Sequence, residues 1–203
     1  MIAIFDYGAG NLRSVENTLA EVGAPYTIVR DADGLDRASK IIFPGVGHFG
    51  QMIRALDAAG VRGKFLERIH AGVPFLGICL GLQALFSCSE EAPGLAGLGV
   101  IPETVRRFPK DARVPHMGWH DLEIARKSRL FAGLGEKPYL YFAHSYYAPI
   151  VEATAAACTY TGIRYTAVLE HGNLFGVQFH PEKSGPLGLA IMKNFVEMTA
   201  DAR

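Results

Sequence analysis

The chain has 203 residues, with 20 Lys and Arg against 20 Asp and Glu for zero net charge, and 49% of it is apolar. Zero net charge excludes a basic nucleic-acid footprint and a polyanionic tail, and the apolar fraction excludes a disordered chain. A chain of this length buries about 70% of its unfolded surface, so its core needs no disulfides. The first predicted element is a strand over Ile2–Phe5, a short apolar run suited to a buried parallel sheet. Leu12, Val15, Leu19 and Val22 then recur at helical spacing, with Asn11 as N-cap and Gly23 as the stop. Tyr26–Val29 reads as a second strand, and residues 40–43 as a third, ended by Pro44-Gly45. Helices are predicted over residues 49–56 and 65–71, a strand over 73–78 and a further helix over 80–87. This β-α-β-α order implies a mostly parallel central sheet with helices on both faces.

Beyond Ser89 the pattern shortens. Residues 99–101 and 113–119 read as short strands with irregular links, and 139–147 as an aromatic, extended segment. Residues 163–169 and 174–179 form a hairpin about His171-Gly172-Asn173, which adds an antiparallel region to the C-terminal half. A final amphipathic helix carries Pro186 near its start and Leu189, Met192, Phe195 and Val196 on one face. With no repeat or linker visible, residues 1–203 read as one domain.

Residues 71–89 contain no charge, a run of the length of a membrane span. Its glycines, Pro74 and Gln83 fit a buried strand, a turn and a buried helix better, so no membrane association is expected. The N-terminus lacks a basic region and meets Asp6 early, which is unlike a signal peptide and points to the cytoplasm. Cys79, Cys88 and Cys158 are widely spaced and suggest neither a disulfide framework nor a zinc knuckle. His116 and His120 are four apart, but Pro115 and Gly118 oppose a helix, so they are not expected to share a face or hold a metal.

Gly77-Ile78-Cys79-Leu80-Gly81 has the form Gly-x-nucleophile-x-Gly at a strand-to-helix handover. Glycines two residues either side of a strained nucleophile let neighbouring backbone pass close by. The N-terminus of the next helix places partial positive charge at the sulfur, and the Leu80 N–H can meet an oxyanion. By itself the pattern also fits a buried cysteine at a tight turn; an enzyme needs a base and a second donor. Of seven histidines, His180 is expected at a strand end, and Glu182, two residues on in extended chain, can orient its ring. Cys, His and Glu then form a nucleophile, base and orienting acid. Pro44-Gly45-Val46-Gly47 can turn an N–H from Val46 or Gly47 into the site; it fits an ordinary βα turn too. As a phosphate loop it is weak, lacking a third glycine or a GK[ST] sequel.

Gly77-Ile78-Cys79-Leu80-Gly81-Leu82-Gln83 and Gln178-Phe179-His180-Pro181-Glu182-Lys183-Ser184 together resemble the triad-type (class I) glutamine amidotransferases. Within them the chain is most similar to the glutaminase subunits of imidazole glycerol phosphate synthase. Asp6-Tyr7-Gly8-Ala9-Gly10-Asn11, Pro44-Gly45-Val46-Gly47-His48-Phe49, Pro115-His116-Met117-Gly118-Trp119 and His144-Ser145-Tyr146-Tyr147 fit that family in the right order. His120 departs from it where asparagine is expected.

The resemblance implies a flavodoxin-like fold and glutamine hydrolysis through a Cys79 thioester, with Cys79, His180 and Glu182 catalytic. It implies an oxyanion hole at Leu80, Val46 and Gly47, and substrate contacts from Gln83, Glu91, Ser145 and Tyr146. It implies no cofactor and a (β/α)8-barrel cyclase partner in a heterodimer, which receives the ammonia and binds the phosphorylated nucleotide. His116, Met117, Trp119, Tyr141 and Lys183 are then expected at the interface. Two alternatives stay open. One is the glutaminase subunit of another amidotransferase, such as pyridoxal phosphate or anthranilate synthase; Leu82, where many relatives carry histidine, disfavours it. The other is a cysteine hydrolase or peptidase on the same scaffold. A non-catalytic binding module is disfavoured by the intact set of Cys79, His180 and Glu182.

Overall fold

A computed structural model describes residues 1–9 and 12–199. In chain order the elements are β1 (Ile2–Phe5), α1 (Leu12–Val22), β2 (Tyr26–Val29), α2 (Ala32–Asp36), β3 (Lys40–Gly45), α3 (Phe49–Ala58), α4 (Arg62–His70), β4 (Phe75–Cys79) and α5 (Leu80–Gln83). There follow β5 (Phe86–Ser89), β6 (Ile101–Arg107), β7 (His116–Asp121), β8 (Glu123–Ile124), β9 (Tyr139–His144), β10 (Tyr146–Tyr147), β11 (Thr154–Tyr160), β12 (Ile163–His171), β13 (Leu174–Val177) and α6 (Gly185–Glu197).

The main sheet has eight strands in the order β2-β1-β3-β4-β13-β12-β11-β8. The strands from β2 to β13 run parallel, and β12, β11 and β8 extend the sheet antiparallel. The inner strands of the parallel half are covered on both faces, which is why β1 and the centre of β3 and β4 are apolar runs. Ile2, Ile4, Ile42 and Leu76 pack with α1 and α6 through Val15, Leu19, Met192 and Phe195. The alternate residues Ala3, Phe5, Ile41, Phe43 and Phe75 pack with α3 and α4 through Met52, Ile53 and Phe65. Each side chain follows the two-residue period of a strand.

The mostly parallel sheet and the hairpin match the sequence expectation, and three local readings are corrected. Pro44-Gly45 does not end β3: Pro44 pairs with Ile78 and Gly45 with Cys79. Proline is tolerated because β1 pairs only as far as Ile42, so the missing N–H has no ladder to serve on that side. Residues 80–87 are not one helix. After the single turn of α5 the chain re-extends into β5, which pairs parallel with β6; a helical period cannot register that pairing partner. In α6 the buried face is Gly188, Ile191, Met192 and Phe195, with Leu189 and Val196 half-buried beside it. Asn11, expected as the first N-cap, lies outside the described residues. Among those residues no helix is long and apolar enough to cross a membrane; residues 71–89 divide among β4, α5 and β5.

Candidate active site

The parallel strands end together at one edge of the sheet, where α/β sites collect. Cys79 closes β4 with φ 53° and ψ −106°, a strained conformation for a non-glycine residue. Glycines make that turn possible by letting backbone touch backbone. A Cβ on Gly81 would lie 1.9 Å from the Phe43 carbonyl oxygen of β3, and one on Gly77 2.6 Å from the Gly81 oxygen. One on Gly45 would lie 2.8 Å from the Leu80 Cβ. β3, β4 and α5 therefore meet closely enough to fix the sulfur. Because α5 is one turn long, its dipole contributes less than the longer expected helix would have done.

β13 lies beside β4 with Val177 opposite Ile78, so the chain leaving β13 emerges next to Cys79. His180 is fixed there by backbone contacts: its N–H donates to the Tyr141 carbonyl at 2.8 Å, and its carbonyl accepts from the Ser184 hydroxyl at 2.7 Å. Its Nδ1 is 2.8 Å from Glu182 Oε1, and both side chains are buried. The other side of the imidazole meets the Cys79 sulfur. Burial alone would lower the His180 pKa, but the charge on the Cys79 sulfur, its hydrogen bond and then Glu182 raise it well above the ordinary imidazole range. The imidazole thus lies between the sulfur and the carboxylate, both of which favour its protonated form. Glu182 reaches it from a 3-10 turn over Pro181–Lys183, rather than from the extended chain the sequence suggested.

A cavity of about 280 Å³ opens at the sulfur and brings together Leu80, Val46, Gly47, Gln83, Glu91, Ser145, Tyr146 and Lys183 with Cys79 and His180. Of the two N–H groups expected as second oxyanion donor, that of Val46 is turned elsewhere. The Val46 N–H donates to the Tyr7 hydroxyl at 3.0 Å, and that hydroxyl donates to the Val46 carbonyl at 2.5 Å. Burial pushes the Tyr7 pKa up to about 12, which keeps this hydroxyl protonated. Gly47 follows with φ 95°, a conformation glycine adopts without strain. Glu91 Oε2 accepts from the Phe49 N–H at 2.7 Å, anchoring its carboxylate at the start of α3. Gln83 Nε2 donates to the Tyr146 carbonyl at 2.8 Å and to Gln178 Oε1 at 3.1 Å.

Sequence reasoning assigned no role to Tyr7 or Gln178. Gln178 carried a usable signal, a lone amide in the apolar stretch leading to His180; Tyr7 carried none, since its contact is made 39 residues away.

The expected interface residues separate by strand face. β7 and β9 pair antiparallel with Trp119 opposite Tyr141 and His116 opposite His144. On the outer face Met117 is 64% exposed and Trp119 41%, with Tyr139 stacked on Trp119 at 5.9 Å. The Tyr141 ring lies 6.0 Å from Trp119, with Lys183 Nζ above it at 5.9 Å. His116 is on the other face and fully buried, so it is not a surface residue. Its ring stacks on Tyr160 at 3.9 Å and on Phe142 at 5.2 Å. His120 shares that inner face, its ring 4.3 Å from His116. The expectation that the two histidines diverge is thereby corrected, because i and i+4 align on a strand as well as on a helix. Among the described residues no group of three or more His, Cys, Asp or Glu could hold a metal.

Cys158 is buried, and burial pushes its thiol up to about 11. The Cys88 sulfur lies 3.0 Å from the Thr104 hydroxyl. A larger open groove, about 1900 Å³, runs along the loop after β8. It contains no cysteine, and its Arg129 is tied to Glu170. Cys79 and His180 line the small cavity.

Residues 3–198 match the family described as glutamine amidotransferase class-I. An imidazole glycerol phosphate synthase subunit HisH of Methanothermobacter thermautotrophicus is 48% identical over 198 residues, covering 98% of each chain. The protein of the same name from Deinococcus radiodurans is 45% identical, over 99% of this chain and 95% of its own. A solved structure described as a glutamine amidotransferase matches with a TM-score of 0.75 over 97% of each chain at 20% identity, a likeness of fold.

Proposed function

The chain belongs to the class-I glutamine amidotransferases and, within them, to the family of imidazole glycerol phosphate synthase HisH subunits; on that premise we propose that it hydrolyses glutamine to glutamate and ammonia in histidine biosynthesis. The ammonia passes to a (β/α)8-barrel cyclase subunit, with which the chain forms a cytoplasmic heterodimer. The observation that carries this reading is the buried imidazole of His180, set between the Cys79 sulfur and the Glu182 carboxylate at a small cavity.

In this mechanism the Cys79 thiolate attacks the side-chain amide carbon of glutamine. The oxyanion that forms takes hydrogen bonds from the Leu80 N–H and from an N–H of the Val46-Gly47 segment. Protonated His180 gives its proton to the departing ammonia, and a γ-glutamyl thioester remains on Cys79. Neutral His180 then takes a proton from water as that water attacks the thioester carbonyl. Glutamate leaves, and the thiolate and imidazolium are restored. Glu182 acts through its bond to Nδ1, holding the ring so that Nε2 faces the sulfur. Gln83, Glu91, Ser145 and Tyr146 form the end of the cavity that takes the amino-acid part of glutamine.

Met117, Trp119, Tyr141 and Lys183 form the docking surface for the cyclase: an exposed aromatic patch continuous with Lys183 at the cavity, of a composition suited to an interface centre. The nucleotide substrate binds the cyclase, in keeping with a neutral chain that has no phosphate loop. Because the Val46 N–H is held by Tyr7, that donor is withdrawn at rest, and docking of the loaded partner turns the segment inward. The test is glutamate production by the purified chain alone, with the cyclase, and with the cyclase plus its nucleotide. Activity is expected to be low alone and to rise strongly in the complete mixture. High turnover by the chain alone would refute the gating, and absence of turnover in the full complex would refute the function.

A further inference from the structure

We propose that Gln178 is a positioning residue for this reaction, its side-chain amide holding the Cys79 sulfur in its attacking state; the inference rests on the amidotransferase reading above. Gln178 follows β13 directly and is fully buried, its backbone N–H donating to the Ala167 carbonyl at 2.9 Å. A buried amide is costly unless both of its ends are paired. Here both ends are paired, and the pairing leaves one orientation.

The Tyr146 carbonyl can only accept, so the Gln83 atom 2.8 Å from it is the NH2 group. That same nitrogen lies 3.1 Å from Gln178, whose facing atom must therefore be the carbonyl oxygen. The remaining end of Gln178 is then its NH2, and it points at Cys79 Sγ from 3.6 Å. The Tyr146 carbonyl is itself fixed a second time by His144 Nδ1 at 2.8 Å. A chain of oriented groups thus runs from the backbone of β10 to the sulfur and ends in a donor.

A neutral donor to sulfur favours thiolate over thiol and restrains its direction without supplying or removing a proton. His180 loses its proton to ammonia as the sulfur becomes a neutral thioester and regains one as the thiolate is released, so its contact with the sulfur is broken and remade in each turnover. Gln178, fixed by Gln83 and with no proton to lose, is in place to donate to the sulfur again when the thioester breaks. Among the described residues His180, Tyr7 and Tyr165 feel the charge of the sulfur, and Glu91, His144, Tyr146 and Lys183 line the same cavity; all of them are kept when Gln178 is replaced. The Ala143 carbonyl, 3.9 Å from Sγ, accepts from a thiol and offers a thiolate nothing.

The experiment compares the full chain with Gln178→Leu and Gln178→Glu, measuring iodoacetamide alkylation of Cys79 at about pH 6.5 and about pH 9.5. A Cys79→Ala chain supplies the background from Cys88 and Cys158. Gln178→Leu is expected to slow alkylation about tenfold at the lower pH, the scale of one lost hydrogen bond to a charged acceptor, and to leave it within about twofold at the higher pH. Gln178→Glu keeps the shape but turns an oxygen towards the sulfur, so it should be slower still at the lower pH. It also reads the proposal should Gln178→Leu not fold. In the complex with the cyclase, kcat for glutamine should fall about tenfold in Gln178→Leu while KM stays within about twofold. An unchanged alkylation profile, or equal slowing at both pH values, would overturn the proposal, since a purely packing role predicts one or the other. If the unaltered complex fails to turn over glutamine while alkylation responds as described, the amidotransferase reading falls and the contact between Gln178 and the sulfur stands.

Discussion

Lowering the pH from about 7 to about 5 should cost this protein about 4 kcal/mol of stability through two buried histidines alone. His116 Nδ1 lies 3.2 Å from His144 Nε2, and the Tyr165 hydroxyl is 3.1 and 3.2 Å from those same nitrogens. Neither ring is open to water. Burial above all, then His120, lowers the His116 pKa to about 4. Burial likewise lowers His144 to about 3 against the opposing hydrogen bond to Tyr146, with smaller contributions from neighbouring histidines. An exposed histidine in the unfolded chain titrates near 6.5. Below that pH the unfolded state binds protons that the folded state refuses. Stability is therefore complete above 6.5 and is lost as the pH falls towards the folded values. Each site contributes a loss of about 2 kcal/mol between pH 7 and 5, at about 1.4 kcal/mol per pH unit. Urea unfolding at the two pH values measures the total, which includes other groups. His144→Asn isolates one site, because an asparagine amide can donate to the Tyr146 carbonyl but does not titrate. Its loss on acidification should be smaller than that of the parent chain by about 2 kcal/mol. An equal loss in the two proteins would refute the reasoning, whatever the variant's stability at pH 7.

Cys79→Ala is expected to abolish glutamine hydrolysis while the complex still uses added ammonia; hydrolysis at the parent rate would remove Cys79 from its role. Tyr7→Phe frees both backbone groups of Val46 and should raise hydrolysis by the isolated chain roughly threefold to tenfold, the effect of one ordinary hydrogen bond. An unchanged or lower basal rate would show that Tyr7 does not restrain the segment. Gly81→Ala would drive a Cβ to 1.9 Å from the Phe43 carbonyl, inside the central sheet where no flexible side chain can yield. A loss of about 3 kcal/mol or more, or failure to accumulate folded chain, is expected. A thermal midpoint equal to the parent's would contradict that close contact.

The inner strands of the parallel half were legible because they are buried on both faces and so are written largely as apolar runs, Ile2–Phe5 being the plainest. The turn at Cys79 was legible because Gly77 and Gly81 record a demand for close backbone, and no other residue type meets it. His180 and Glu182 were legible because their contact is made within two residues, although the turn that joins them was misread. Residues 80–87 were misread because local preference could not reveal that β6 waits to pair with Phe86. His116 was misplaced because His116 and Met117, adjacent in sequence, point to opposite faces of β7, and only the packing of Tyr160 and Phe142 determines which face is covered.

The sequence by itself determined the tight turn at Cys79, the pairing of His180 with Glu182, and the sheet that carries them, since these depend on local spacing, burial pattern and backbone room. The tertiary structure alone decided which way the Val46 N–H points, which histidines lie inside, and that Gln178 faces the sulfur. Tyr7 and Val46 are 39 residues apart, and Gln178 and Cys79 are 99 apart. A hydrogen bond acts over about 3 Å whatever the separation along the chain, so only folding brings such partners within its reach.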